Sequence, residues 1–213
     1  GQALTERGYE APTPVQAAVL EAEAHGRDLV VSAQTGSGKT VAFGLAMADE
    51  LLGDPATIAM AQAPLALVIA PTRELAIQVH ESVKTYSKYV PIRSLCAYGG
   101  VDIKPQIAEI RLGVEVLVAT PGRLLDLVEQ KCLNFNSVQA LVLDEADRML
   151  DIGFVPDVTR IINLWPKQRQ SLLFSATFSE EIKKLADKML QAPILIEVAK
   201  RNTVSETITH RVH

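Results

Sequence analysis

Two cysteines in 213 residues, Cys96 and Cys132, fit neither a disulfide framework nor a metal-ligand spacing. They read as reduced thiols, and the expected setting is cytoplasmic. No apolar run approaches the ~18 to 20 residues of a membrane span. No basic-then-apolar leader opens the chain. No membrane partner is therefore expected. Aromatic residues make up only 5%, and Trp165 and the methionines read as core with no cofactor role. Four scattered histidines form no ligand cluster. Cations are scarce at first: residues 1–83 hold only Arg7, Arg27, Lys39 and Arg73. From Lys84 onward cations slightly outnumber acids, so the formal net charge of −4 does not exclude a phosphate-rich partner.

What remains is 48% hydrophobic, enough for one α/β domain with a sizeable core or at most two small ones. Apolar runs alternate with helical stretches. Strands are predicted at 29–32, 66–70, 93–97, 114–119, 140–143, 171–175 and 194–198. Helices are predicted at 14–25, 39–52, 73–89, 104–111, 121–130, 155–164 and 180–190. Thr13-Pro14 and Ser179-Glu180-Glu181 are helix starts. This alternation predicts a doubly wound, mostly parallel sheet with helices on both faces. Residues 53–63 read as a surface loop without a motif.

The chemistry sits at strand ends. Ala33-Gln34-Thr35-Gly36-Ser37-Gly38-Lys39-Thr40 follows one apolar run and precedes a helical one. Strand, Gly-rich loop and helix together form a phosphate-binding P-loop. Backbone N–H groups and the helix N-terminus face the phosphates. Lys39 reaches the β- and γ-phosphates, and the Thr40 hydroxyl binds Mg²⁺. Ala33 replaces the glycine that opens the general pattern. Downstream, the run Ala140-Leu141-Val142-Leu143 ends at Asp144-Glu145-Ala146-Asp147. Asp144 is expected to hold a hydrated Mg²⁺, and Glu145 to orient and deprotonate the attacking water. Lys39, Asp144 and Glu145 are thus the candidate catalytic residues. Alone, the acids would equally suit a solvated helix start.

With these two motifs stand Gly8-Tyr9-Glu10-Ala11-Pro12-Thr13-Pro14-Val15-Gln16, Pro71-Thr72-Arg73-Glu74-Leu75, Gly99-Gly100, Thr120-Pro121-Gly122-Arg123 and Ser175-Ala176-Thr177. In this order, and almost end to end, the chain resembles the DEAD-box RNA helicases of superfamily 2. Residues 98–101, 143–154 and 172–178 look like the bacterial RhlE branch, which the Ala-rich first part resembles less.

The resemblance implies a RecA-like P-loop NTPase domain over residues 1–199, the start of an interdomain linker over 200–213, and a second RecA-like domain not contained in this chain. A chain opening on Gly1 rather than Met is expected to be a segment of a longer protein. ATP and Mg²⁺ are the implied cofactors. Gln16 would read adenine, since its amide matches the base's N6 donor and N7 acceptor; by itself it would pass for a solvated helix residue. The family's adenine-stacking aromatic would fall before Gly1, so weak adenine affinity is expected. Pro71, Thr72, Arg73, Gly99, Gly100, Thr120, Pro121, Gly122 and Arg123 would grip the backbone of one RNA strand without reading bases. Ordinary turns and caps compete with that reading, as do ion pairs of Arg73 with Glu74 and of Arg123 with Asp126. Ser175 and Thr177 would hydrogen-bond Asp147 and link nucleotide state to domain closure. The implied activity is ATP-driven unwinding or remodelling of short RNA duplexes. The domain alone is expected to be nearly idle, because the second domain supplies the arginines that reach the γ-phosphate. The alternatives are a nucleotide-gated RNA clamp or scaffold and, less well matched, a DNA helicase.

Overall fold

A computed structural model describes residues 27–32, 64–86, 92–136, 138–166, 169–198 and 208–212. Among the described residues, eight strands form one sheet: β1 (Leu29–Ser32), β2 (Ala66–Ile69), β3 (Ser94–Ala97), β4 (Val116–Ala119), β5 (Ala140–Leu143), β6 (Gln170–Ser175), β7 (Ile194–Val198) and β8 (Ile208–Val212). Their order is β3-β4-β2-β5-β6-β1-β7-β8. The first seven pair in parallel, and β8 pairs antiparallel with β7. The expected doubly wound, mostly parallel α/β sheet is therefore the one observed.

The described helices are α1 (Arg73–Tyr86), α2 (Lys104–Leu112), α3 (Pro121–Glu129), α4 (Ala146–Ile152), α5 (Val155–Leu164) and α6 (Glu180–Met189). Their starts follow local chemistry. The Thr72 hydroxyl accepts from Leu75 N–H at 3.2 Å, ahead of Ala76, Val79 and Val83, the buried stripe of α1. Ser179 caps α6 by accepting from Ile182 N–H at 3.3 Å, with Glu180 and Glu181 in the first turn. Pro121 opens α3 from an extended Thr120.

Strand side chains alternate between two cores, as parallel strands buried on both faces require. Val30, Leu67, Ile69, Leu117, Leu141, Leu143 and Leu173 pack on one face with residues of α2 to α6. Leu29, Val31, Ala66, Val68, Val116, Val142, Leu172 and Phe174 pack on the other with Ala76, Val79 and Val83 of α1. Helices thus cover both faces.

The differences from expectation are local. Helix α4 is absent from the predicted helices, although the acids also suit a helix start; residues 146–152 form two turns ending at Gly153, whose φ of 96° favours glycine. Strand β8 falls within the stretch expected to open a linker; it satisfies the outer edge of β7, pairing Ile194 with Val212 and Val198 with Ile208. Several ends move by one or two residues, where the last hydrogen bonds run out. The predicted helices at 14–25 and 39–52 and the loop at 53–63 lie outside the described residues.

Candidate nucleotide and nucleic-acid site

The register gathers the expected motifs that lie among the described residues along one rim of the sheet. Ser32 at the end of β1 pairs with Ser175 at the end of β6, and β5 adjoins β6 on its other side. Residues 33–40, which continue from Ser32, lie outside the described residues, as does Gln16. Asp144 leaves β5 with its N–H bound to Ile69 O at 2.9 Å, and it is buried. Its carboxylate is a hard oxygen donor at the mouth of the β1–β6–β5 group. That chemistry suits Mg²⁺, which takes few protein oxygens and keeps its waters.

Glu145 is buried too, and its backbone is left-handed, at φ 53° and ψ 55°. A side chain with a Cβ pays roughly 1 kcal/mol or more for that conformation, and packing must hold it there. The fully buried Ala146 and Met149 anchor α4, and Met149 N–H donates to Glu145 O at 3.1 Å. The turn sets Glu145 at the head of α4, with Asp147 in the first turn beyond it. A cleft of about 590 Å³ opens there, lined by Leu75 and Gln78 of α1 and by Glu145, Asp147, Arg148, Asp151 and Ile152.

Asp147 joins this turn to the end of β6. Its Oδ2 accepts from the Thr177 hydroxyl at 3.1 Å, and its Oδ1 accepts from Arg148 N–H at 3.0 Å. Ser175 behaves otherwise than expected: its hydroxyl donates to Thr177 O at 2.7 Å, not to Asp147. Ser175 is buried in the sheet and shapes the turn that presents Thr177.

The other end of the rim carries three loops. They follow β2, β3 and β4, whose last residues Ile69, Ala97 and Ala119 lie abreast. Ala70 N–H donates to Ala119 O at 3.0 Å, and Thr120 N–H to Ala97 O at 3.1 Å. Pro71 and Pro121 are buried, Thr72 and Thr120 are half-buried, and Arg73, Gly99, Gly100 and Gly122 are exposed. The Arg73 guanidinium lies over the Tyr98 ring, 4.7 Å from its centroid.

A model of the DEAD/DEAH box helicase family matches residues 13–185. The chain belongs to that family. It is 42% identical over 213 residues to the probable ATP-dependent RNA helicase DDX46 of Danio rerio, covering 99% of this chain and 21% of that protein. It is 44% identical over 208 residues to the pre-mRNA-processing ATP-dependent RNA helicase prp11 of Schizosaccharomyces pombe (96% and 20%). It is 42% identical over 212 residues to the DEAD-box ATP-dependent RNA helicase 42 of Oryza sativa subsp. japonica (98% and 20%). The chain spans about a fifth of the length of these relatives.

Within this DEAD/DEAH box domain, one expected contact needs correction. Arg123 was read as an RNA-backbone ligand, yet its side chain is only 9% exposed. Its Nη1 donates to Gln106 Oε1 at 2.9 Å, its Nη2 donates to Val101 O at 3.0 Å, and its Nε lies 3.7 Å from Asp126 Oδ2. The competing ion pair with Asp126 is thus present. The guanidinium is spent on the domain's own loops and does not face solvent.

Gln106 escaped the sequence reading because a glutamine inside a helix carries no motif. Asp28 escaped likewise. Its buried carboxylate accepts from Ser171 N–H at 2.8 Å and Gln191 N–H at 2.7 Å, tying the start of β1 to β6 and to the entry of β7. Burial raises its pKa, outweighing those two N–H groups and Arg27. It is a structural acid, two strands away from the acids after β5.

Proposed function

We infer that this chain is the N-terminal RecA-like domain of an ATP-dependent RNA helicase, binding ATP on one half of the rim and an RNA backbone on the other. The observation that carries this is the hydrogen bond from the Thr177 hydroxyl to Asp147, which ties the turn bearing Asp144 and Glu145 to the end of β6 in a chain of the DEAD/DEAH box family. Lys39 neutralises the β- and γ-phosphates, and Gln16 selects adenine. Glu145 orients a water and takes its proton as the water's oxygen attacks the γ-phosphorus; ADP leaves. Asp144 and Thr40 would hold Mg²⁺, whose bound charge offsets that of the phosphates. A second RecA-like domain is the partner that closes on this one, supplies the missing arginines and completes the RNA groove. The presence of Glu145 favours an enzyme over a passive clamp. RNA is gripped through Arg73, Gly99-Gly100 and Thr120–Gly122 without sequence preference, and binding weakens as salt rises. A cytoplasmic location and an RhlE-like lineage for residues 98–101, 143–154 and 172–178 complete the proposal on sequence grounds.

Calorimetry with ADP and Mg²⁺ tests the nucleotide half. Lys39→Ala should abolish binding; unchanged affinity would remove Lys39 from the site.

A further inference from the structure

We propose that Gln106 and Arg123 form a buried clamp that sets the shape of the Gly99-Gly100 turn, acting on RNA as positioning residues that never touch it. This rests on the reading of the rim loops as an RNA surface. Both side chains are largely enclosed, at 7% and 9% exposure. The carbonyls that flank the two glycines are both held. Gln106 Nε2 donates to Tyr98 O at 3.3 Å, and Arg123 Nη2 donates to Val101 O at 3.0 Å. The two clamp residues are joined by Arg123 Nη1 donating to Gln106 Oε1 at 2.9 Å. Only one amide orientation serves both neighbours, because a guanidinium needs an acceptor and a carbonyl needs a donor.

The side of the turn that a Cβ would occupy is open. A Cβ at Gly99 or Gly100 would meet no heavy atom within 4 Å, and Gly100 has φ +82°. The clamp holds the turn from its ends. The clamp also spans the rim. Arg123 is rooted in the first turn of α3, directly after Thr120 and Gly122. Gln106 holds the carbonyl of Tyr98, whose ring carries Arg73. One chain of contacts, buried at Arg123 and Gln106 and running out through Tyr98 to the exposed Arg73, thus joins three loops. Preorganisation of this kind lowers the ordering cost when a ligand binds.

The test measures fluorescence anisotropy of a labelled oligouridylate across a KCl series, with amide hydrogen exchange alongside. Gln106→Leu should weaken RNA binding about tenfold and leave the log–log salt slope unchanged. It should speed exchange at residues 99–101 and leave β4 protected. The neutral Arg123→Met, which also loses the bonds to Gln106 and Val101 O, should act in the same way. Arg73→Ala should lower the magnitude of the slope by about 0.7, the value of one phosphate contact on a single strand. A slope lowered by that amount in the neutral Arg123→Met would make Arg123 a phosphate ligand and overturn the clamp. So would wild-type affinity and exchange in Gln106→Leu. If Gln106→Leu does not fold, Gln106→Glu keeps the acceptor for Arg123 and loses the donor to Tyr98. Faster exchange at 99–101 then supports the clamp, and unchanged exchange refutes it. If the wild-type chain binds no RNA, the reading of the rim fails, and the exchange data still decide the clamp.

Discussion

Replacing Asp28 with alanine should cost this domain a large share of its stability, although Asp28 does no chemistry. The carboxylate accepts from two backbone N–H groups, Ser171 at 2.8 Å and Gln191 at 2.7 Å, and is itself buried. Alanine leaves both donors without that acceptor, at about 1–3 kcal/mol each. Relief of a buried charge returns part of this, leaving a net loss of roughly 2–4 kcal/mol. Against a typical domain stability of about 5–15 kcal/mol, that is readily measured by urea denaturation at pH 7. Asparagine keeps one acceptor and turns a donor toward the second N–H, so Asp28→Asn should recover at most half. A loss below about 0.5 kcal/mol in Asp28→Ala would refute this account of the clamp between β1, β6 and β7.

The same residue makes a signed prediction in pH. Burial raises the Asp28 pKa above its ordinary 3.8, so the folded state holds that proton more tightly than the unfolded chain does. Its contribution is full below the unfolded value and falls as pH rises through the folded one. The margin of wild type over Asp28→Ala should therefore narrow as pH climbs from 3.8 through that window, then level off toward neutrality. A margin that widens across the window would mean a depressed pKa and overturn the assignment.

Two other perturbations separate structure from function. Thr177→Val removes the hydroxyl that donates to Asp147 at an exposed position, so stability should change by no more than about 1 kcal/mol. In a protein carrying both RecA-like domains, ATP hydrolysis should persist while strand separation falls by about tenfold. Ser175→Ala, which loses only the bond to Thr177 O, should cost stability more than coupling; equal loss of strand separation in both variants would contradict the division of roles. Burial, with Glu81 nearby, pushes the Cys96 thiol up to about 11. About one molecule in a thousand is then a thiolate at pH 8, and alkylation of Cys96 by iodoacetamide should run at least about a hundredfold slower than that of a free thiol. Comparable rates by peptide mass spectrometry would show that the site is neither buried nor electrostatically shielded.

Much of this domain is legible without coordinates because its signals are local. Seven parallel strands announce themselves as short aliphatic runs, and β1, β5, β7 and α5 fall at their expected bounds. The acids after β5 are likewise visible, since an apolar run that stops at a charge marks a strand end. Helix α4 was not legible. It is seven residues long, too short to show a helical period, and it begins at a left-handed Glu145 that no sequence pattern requires. Strand β8 escaped because its pairing to β7 is a tertiary event at the end of the sheet. Arg123 shows the limit most clearly. Its neighbour Asp126, one helical turn away, could be named from spacing alone. Gln106 and the Val101 carbonyl, which decide that Arg123 is a strut, lie across a turn whose path only the fold reveals.

The central claim is that this rim couples ATP hydrolysis to RNA. It is tested most directly in a protein that joins this chain covalently to a second RecA-like domain, by measuring ATP turnover with single-stranded RNA, duplex RNA and DNA, in wild type and in Glu145→Gln. Stimulation by RNA well above that by DNA is expected, together with a loss of about 10²-fold or more in Glu145→Gln while ATP binding is kept. Turnover that ignores RNA, or that survives in Glu145→Gln, would contradict the account.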